Sequence, residues 1–200
     1  LFYKISLAEF KKAYSLLGVS FDHYLGESFY KPMLSRIVQV ALYRGIAKRS
    51  DGAIIIENEG LPPFVIQKSD EAFLYATTDL AAIQYRREKF KADTVLYVVD
   101  NGQSLHFEQL FRSTERLGVV DSMHLFHVKF GLVLSEDMKK LSTRAGRHIA
   151  LLEVIHEAVR RARVIVDEKR ADLKERERAK IAERVGVAAL KYNDLSQNRQ

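Results

Sequence analysis

Cysteine is absent from the 200 residues, which excludes disulfides and thiolate metal sites and fits an intracellular address. No apolar run is long enough to span a bilayer, and the first residues lack the basic, apolar and small-residue order of a secretory signal. Neither a His-Glu-x-x-His motif nor a metal-binding cluster of acids occurs, so no protein-bound metal is expected. Linkers rich in Gly/Ser or Pro are missing, and no segment repeats. The chain begins at Leu1 rather than a methionine, and the expectation is a piece of a longer protein.

What is present is 47% hydrophobic content, enough to bury a core as one domain, alone or with a helical extension. The net charge of +6 and pI near 9.4 favour a polyanionic partner, although a merely basic soluble protein fits the charge equally.

Ser6-Leu7-Ala8-Glu9 has capping-box spacing, and Leu7, Phe10, Tyr14 and Leu17 recur at helical intervals until Gly18. Pro32 suits the first turn of a second helix with Met33, Ile37, Val40 and Ala41 inside and Gly45 as its stop. Residues 53–56 and 64–66 read as an edge hairpin. From Phe73 the order becomes βαβ: a short strand to Tyr75, a helix over 78–90, a strand over 94–99, a helix over 104–117 and a strand over 124–128. "TVLYVV" is apolar on both faces, as expected of parallel strands covered from either side. Ligands of such sheets sit at the carboxyl ends of the strands, here Tyr75 to Asp79, Asp100 to Gln103 and the region after Val128. Further on, Leu151, Ile155, Ala158, Ala162 and Ile165 form one apolar stripe, and Glu157 with Arg161 and Asp172 with Arg176 stand four apart. "ADLKERERAK" reads as a solvated turn and helix face.

Three places offer chemistry. "KKLSTRAGR", residues 139–147, gathers Lys140, Ser142, Thr143 and Arg144 on a loop whose donors suit a polyphosphate; a solvated basic loop is the plain alternative. Tyr75 and Asp79 can face one crevice, where a carboxylate would pair with a planar guanidinium; Asp79 also suits a helix cap or first-turn acid. Asp100-Asn101-Gly102-Gln103 follows a buried strand and opens a helix, as a ligand-binding turn or an ordinary βα turn. His106 is assigned no chemistry. His127, flanked by apolar residues, also reads as structural.

"KLSTRAG" resembles the Lys-Met-Ser-Lys-Ser signature of class I aminoacyl-tRNA synthetases, in the form typical of arginyl-tRNA synthetases. "FDHYLGESFY", "LYATTDLAAIQYR", "LYVVDNGQSLHFEQLF", "HVKFGLVL" and "ALKYNDLSQNR" resemble that family's blocks in the family's order, so the resemblance covers essentially the whole chain. Leu141 replaces the usual Met, and Ala145 replaces the usual Lys, which removes one cation from the loop. The family's His-Ile-Gly-His block does not occur in the sequence.

The resemblance implies an α/β fold: a Rossmann-like half-domain with a parallel sheet, plus carboxyl-terminal helices. It implies a connecting α/β segment over 1–70, the second half of the catalytic domain over 71–150, and a helical segment over 151–200 leading toward an anticodon-binding domain. Tyr75, Asp79 and Gln103 are expected to hold arginine. His127, Val128, Lys140, Ser142 and Arg144 are expected to contact ATP, with Lys140 and Ser142 catalytic. ATP would bring Mg²⁺, and the partners would be arginine and tRNA(Arg), in a cytoplasmic monomer without membrane contact. The fragment alone is expected to be inactive, and a non-catalytic RNA-binding or scaffold module using Arg160, Arg161 and Arg163 is the alternative.

Overall fold

The computed structural model describes residues 2–120, 123–131 and 151–196, with side chains from Ile5 onward. The described residues within 24–131 form one compact unit, and those within 1–23 and 151–196 belong to another.

In the second of these, helix α1 (Phe2–Leu17) already includes Ser6, so the capping-box expectation fails. Nothing between Phe2 and Ser6 breaks a helix, and a Ser can cap only where the chain before it is extended. The expected stop at Gly18 holds: φ is +61°, and Val19 N–H donates to Tyr14 O at 2.8 Å across the turn. Helices α6 (Leu151–Lys169) and α7 (Glu175–Ser196) pair closely. The buried face of α6 runs through Ile155, Ala162 and Val166, while Leu151 and Ile165 are exposed, which corrects the two ends of the expected stripe. Gly186 of α7 lets the helices meet, because a Cβ there would stand 2.7 Å from the Val159 backbone. Glu157 pairs with Arg161 as expected, but Asp172 pairs with Arg170 instead of Arg176, since Asp172 lies in the turn before α7 begins.

The 24–131 unit opens with α2 (Glu27–Tyr30), a 3₁₀ turn at Lys31–Met33 holding Pro32, and α3 (Leu34–Tyr43). Leu34, Ile37, Val38 and Ala41 are buried, whereas Val40 faces outward, so the inner stripe is displaced from the expected one. Gly45 ends this helix at φ +66°.

An antiparallel sheet follows in the order β1 (Ala47–Ser50), β2 (Ala53–Ile56), β3 (Phe64–Gln67). The predicted hairpin is β2–β3, but β2 is the centre of three strands. β1, "AKRS", carries no apolar alternation; its pairing is set by Asp51-Gly52, both at positive φ, the two-residue turn that suits a right-twisted hairpin.

The strand expected up to Tyr75 is reduced to a single bridge, Gln67 to Phe73, and α4 (Tyr75–Tyr85) starts at Tyr75. α4 continues as a π-helical turn at Arg86–Phe90 and stops where Lys91 takes a left-handed conformation. β4 (Thr94–Asp100), a 3₁₀ turn at Asn101–Gln103, α5 (Ser104–Arg116) and β5 (His124–Phe130) complete the unit as a βαβ crossover, with β4 and β5 parallel. Among the described residues one face of this pair is covered: Tyr97 is buried against Phe107, while Leu96, Val98 and Phe126 are exposed on the other face. No described helix is long and apolar enough to cross a membrane.

Candidate active site

Asp100 ends β4, and its Oδ1 accepts from Gly102 N–H at 2.9 Å, which fixes the turn into α5. A Cβ at residue 102 would stand 2.8 Å from that oxygen and would push the Asp100 carboxylate out of this bond. Gln103 emerges from this turn exposed, with its Nε2 3.4 Å from Asp100 Oδ2. Three residues later on the same face of α5 stands His106.

The facing element is α4. Its start is anchored by buried Thr77, whose hydroxyl donates to Ile66 O on β3. Tyr75 and Asp79, four apart, share a face of the helix. Asp79 is on the second turn and therefore serves neither as a cap nor as a first-turn acid. Its Oδ2 instead lies 2.7 Å from His106 Nε2 on α5. That bond brings the face bearing Tyr75 and Asp79 against the face bearing Gln103 and His106. The imidazole is held by the rings of Phe64 and Phe107, with centroids at 5.7 and 5.3 Å. Asp79 Oδ1 has no hydrogen-bond partner among the described residues, and the carboxylate is about one-third exposed. The arrangement leaves one carboxylate oxygen open to an incoming donor.

Behind this carboxylate lies Tyr97, whose hydroxyl accepts from Arg86 Nη1 at 2.7 Å, with the guanidinium carbon 5.2 Å from the ring centre. Burial pushes the Tyr97 hydroxyl well above its ordinary range; the Arg86 charge opposes this and the Asp79 charge adds to it. Tyr30 is raised in the same way. The phenols therefore stay neutral. His106 and Arg86 were not singled out from the sequence. The three-residue spacing from Gln103 was the signal available for His106; Arg86 reaches Tyr97 only through the π-helical turn, which no sequence pattern announced.

His127 lies on β5 with Nε2 donating to Val99 O at 3.1 Å and its ring 4.6 Å from Phe107, while Nδ1 is buried without a partner among the described residues. Val128 follows, half-buried. His124 and His127 stand three apart on a strand and so point to opposite faces. Lys140, Ser142, Thr143 and Arg144 lie outside the described residues.

The family described as "tRNA synthetases class I (R), catalytic domain" matches residues 1–200. The chain belongs to the class I arginyl-tRNA synthetase family. An arginine–tRNA ligase of Chloroflexus aggregans is 43% identical over 195 residues, 97% of this chain and 34% of the relative. The crystal structure of arginyl-tRNA synthetase from Plasmodium falciparum superposes with a TM-score of 0.84 at 30% identity, over 98% of this chain and 33% of that one. The Thermus thermophilus arginyl-tRNA synthetase shares the fold, with a TM-score of 0.76 at 20% identity over 95% of this chain and 38% of that one. The chain thus spans about a third of the length of these arginyl-tRNA synthetases.

Proposed function

We propose that this chain supplies the arginine site and part of the ATP site of an arginine–tRNA ligase. The observation that carries the reading is the Asp79 carboxylate, held by His106 through Oδ2 and open at Oδ1, at the crevice beside the carboxyl end of β4. The guanidinium of arginine donates to Oδ1, and the Tyr75 hydroxyl lies on the same helix face as a second polar contact. Gln103 meets the substrate from α5. The arginine carboxylate then attacks the α-phosphorus of ATP; the bond to the bridging oxygen breaks, and pyrophosphate leaves with the electron pair. A terminal tRNA(Arg) hydroxyl next takes the arginyl group and releases AMP.

Lys140 and Ser142 stabilise charge on the departing pyrophosphate, with Arg144 as a further cation, while His127 and Val128 of β5 lie beside the adenine. Mg²⁺ arrives with ATP and neutralises phosphate charge. The proposed division of roles keeps 1–70 as a connecting segment, 71–150 as the catalytic half and 151–200 as the helical exit. The working protein is proposed to be a cytoplasmic monomer.

The scaffold alternative drew on Arg160, Arg161 and Arg163, but each is engaged by Glu157 or by Asp167 and Glu175 on its own helices. This favours the enzyme. The deciding experiment is arginine-dependent exchange of pyrophosphate into ATP by the longer protein, with and without tRNA. Exchange that requires arginine and is not supported by lysine is expected; equal exchange with either amino acid would remove Asp79 from substrate recognition.

A further inference from the structure

At the far end of α5 from Gln103, α3 and the π-helical turn wall an open groove of about 620 Å³. Arg36 and Arg44 line one wall, Arg87 and Lys91 the other, with Ile37 and Leu117 between them. Basic and acidic side chains balance over residues 24–131, so the excess of cations belongs to the groove and not to the unit. Glu88 is the acid that lines it among the described residues, and Gln84 Nε2 donates to its Oε1 at 2.7 Å.

Two of the cations are fixed by the fold. Arg44 Nη1 donates to Leu117 O, and Arg87 Nη1 donates to Gly118 O at 2.9 Å and Val119 O at 2.7 Å, which satisfies the carbonyls at the end of α5. Arg36 and Lys91 do no such work: both are exposed, and neither meets a carboxylate among the described residues. Elsewhere in this unit Lys48 is paired with Glu57 and Arg112 with Glu108.

We propose that this groove binds the phosphodiester backbone of RNA. Arg36 on α3 and Arg44 at its carboxyl-terminal cap stand eight residues apart, roughly 12 Å along the helix axis, too far for one phosphate and suited to phosphates in succession. No aromatic side chain lines the groove, so it holds backbone rather than stacked bases and is indifferent to sequence. The thirteen residues of α5, roughly 20 Å, separate it from Gln103, so it is distinct from the arginine site and does not depend on that reading.

The test uses the 200-residue chain, a fluorescent oligouridylate and a salt series. Arg36→Ala and Lys91→Ala remove unpartnered exposed side chains, so the fold stays intact, as circular dichroism would verify. Arg49→Ala removes an exposed cation of β1 outside the groove as the control. Each groove variant is expected to reduce the slope of log affinity against log salt by about 0.7, the value for one phosphate of a single strand, and the control to leave it unchanged. Competition with uridine monophosphate and with inorganic phosphate at matched phosphate concentration separates polymer from free anion. The proposal is overturned by equal slopes in all four proteins, or by displacement of the oligomer by either free anion. Loss of arginine activation in the longer protein would sink the preceding section's reading and leave this one standing.

Discussion

Asp79 faces two ways, toward His106 with one oxygen and toward the crevice with the other, and substitutions can separate the two roles. Asp79→Asn keeps the shape and replaces the anion by an amide, which should cost about 1.5 to 3 kcal/mol of arginine affinity, read as a rise in KM for arginine larger than any fall in kcat. His106→Ala leaves the acid charged but unheld, and about 1 to 2 kcal/mol is expected. Combining them should cost little more than Asp79→Asn alone, because both act on one contact. Fully additive effects in this cycle would mean that His106 acts elsewhere. The pair also marks what the sequence could and could not convey. Tyr75 and Asp79 stood out because a phenol and a carboxylate where a strand leads into a helix suit a guanidinium, and Gln103 because the family resemblance implied it, whereas the Asp79–His106 bond joins residues 27 apart on two helices and is set by packing alone.

Elements were legible where local signals are strong. Gly18 and Gly45 stop their helices as expected, and the β4–α5–β5 alternation was readable from periodicity. The third antiparallel strand was not, since "AKRS" has no apolar alternation and only the Asp51-Gly52 turn betrays it. The start of α4 was misplaced because Thr77 bonding to Ile66 O is a tertiary contact. Gly186 belongs to the same class: within a helix it looks like a defect, but it is where α7 meets the Val159 backbone. Gly186→Ala would force a Cβ into that 2.7 Å approach and separate the helices. The overpacking is expected to cost about 1 to 3 kcal/mol, outweighing the gain in helix propensity of about 1 kcal/mol. A thermal melt monitored by helicity checks it; a raised midpoint would show that α6 can shift to admit the methyl.

Among the described residues of the molecule, lowered carboxylate pKa values fall in α6, α7 and the turn between them. Hydrogen bonds from Arg160 and then Arg161 hold Glu157 down, from 4.5 to about 2, and Asp167, Asp172 and Glu175 are lowered by their own arginine partners. A carboxyl depressed in the folded state stabilises it above the unfolded pKa and loses that contribution as pH falls through the folded value. The melting midpoint of this region should therefore hold down to about pH 4.5, then decline toward pH 2. Because the pairs are exposed, molar salt should blunt the decline. A midpoint that falls identically at low and high salt would assign the acid response to another cause. The two sheets, finally, differ in how far the chain must search to build them. β1 and β2 meet across two residues, so that hairpin can close within roughly 10 μs, whereas every β4–β5 pair joins residues 30 apart in the chain and must await the crossover through α5. A ribosome making this chain would therefore release a finished hairpin while β4 still had no neighbour, leaving Tyr97, which the finished unit buries against Phe107, among the residues most in need of shelter during synthesis.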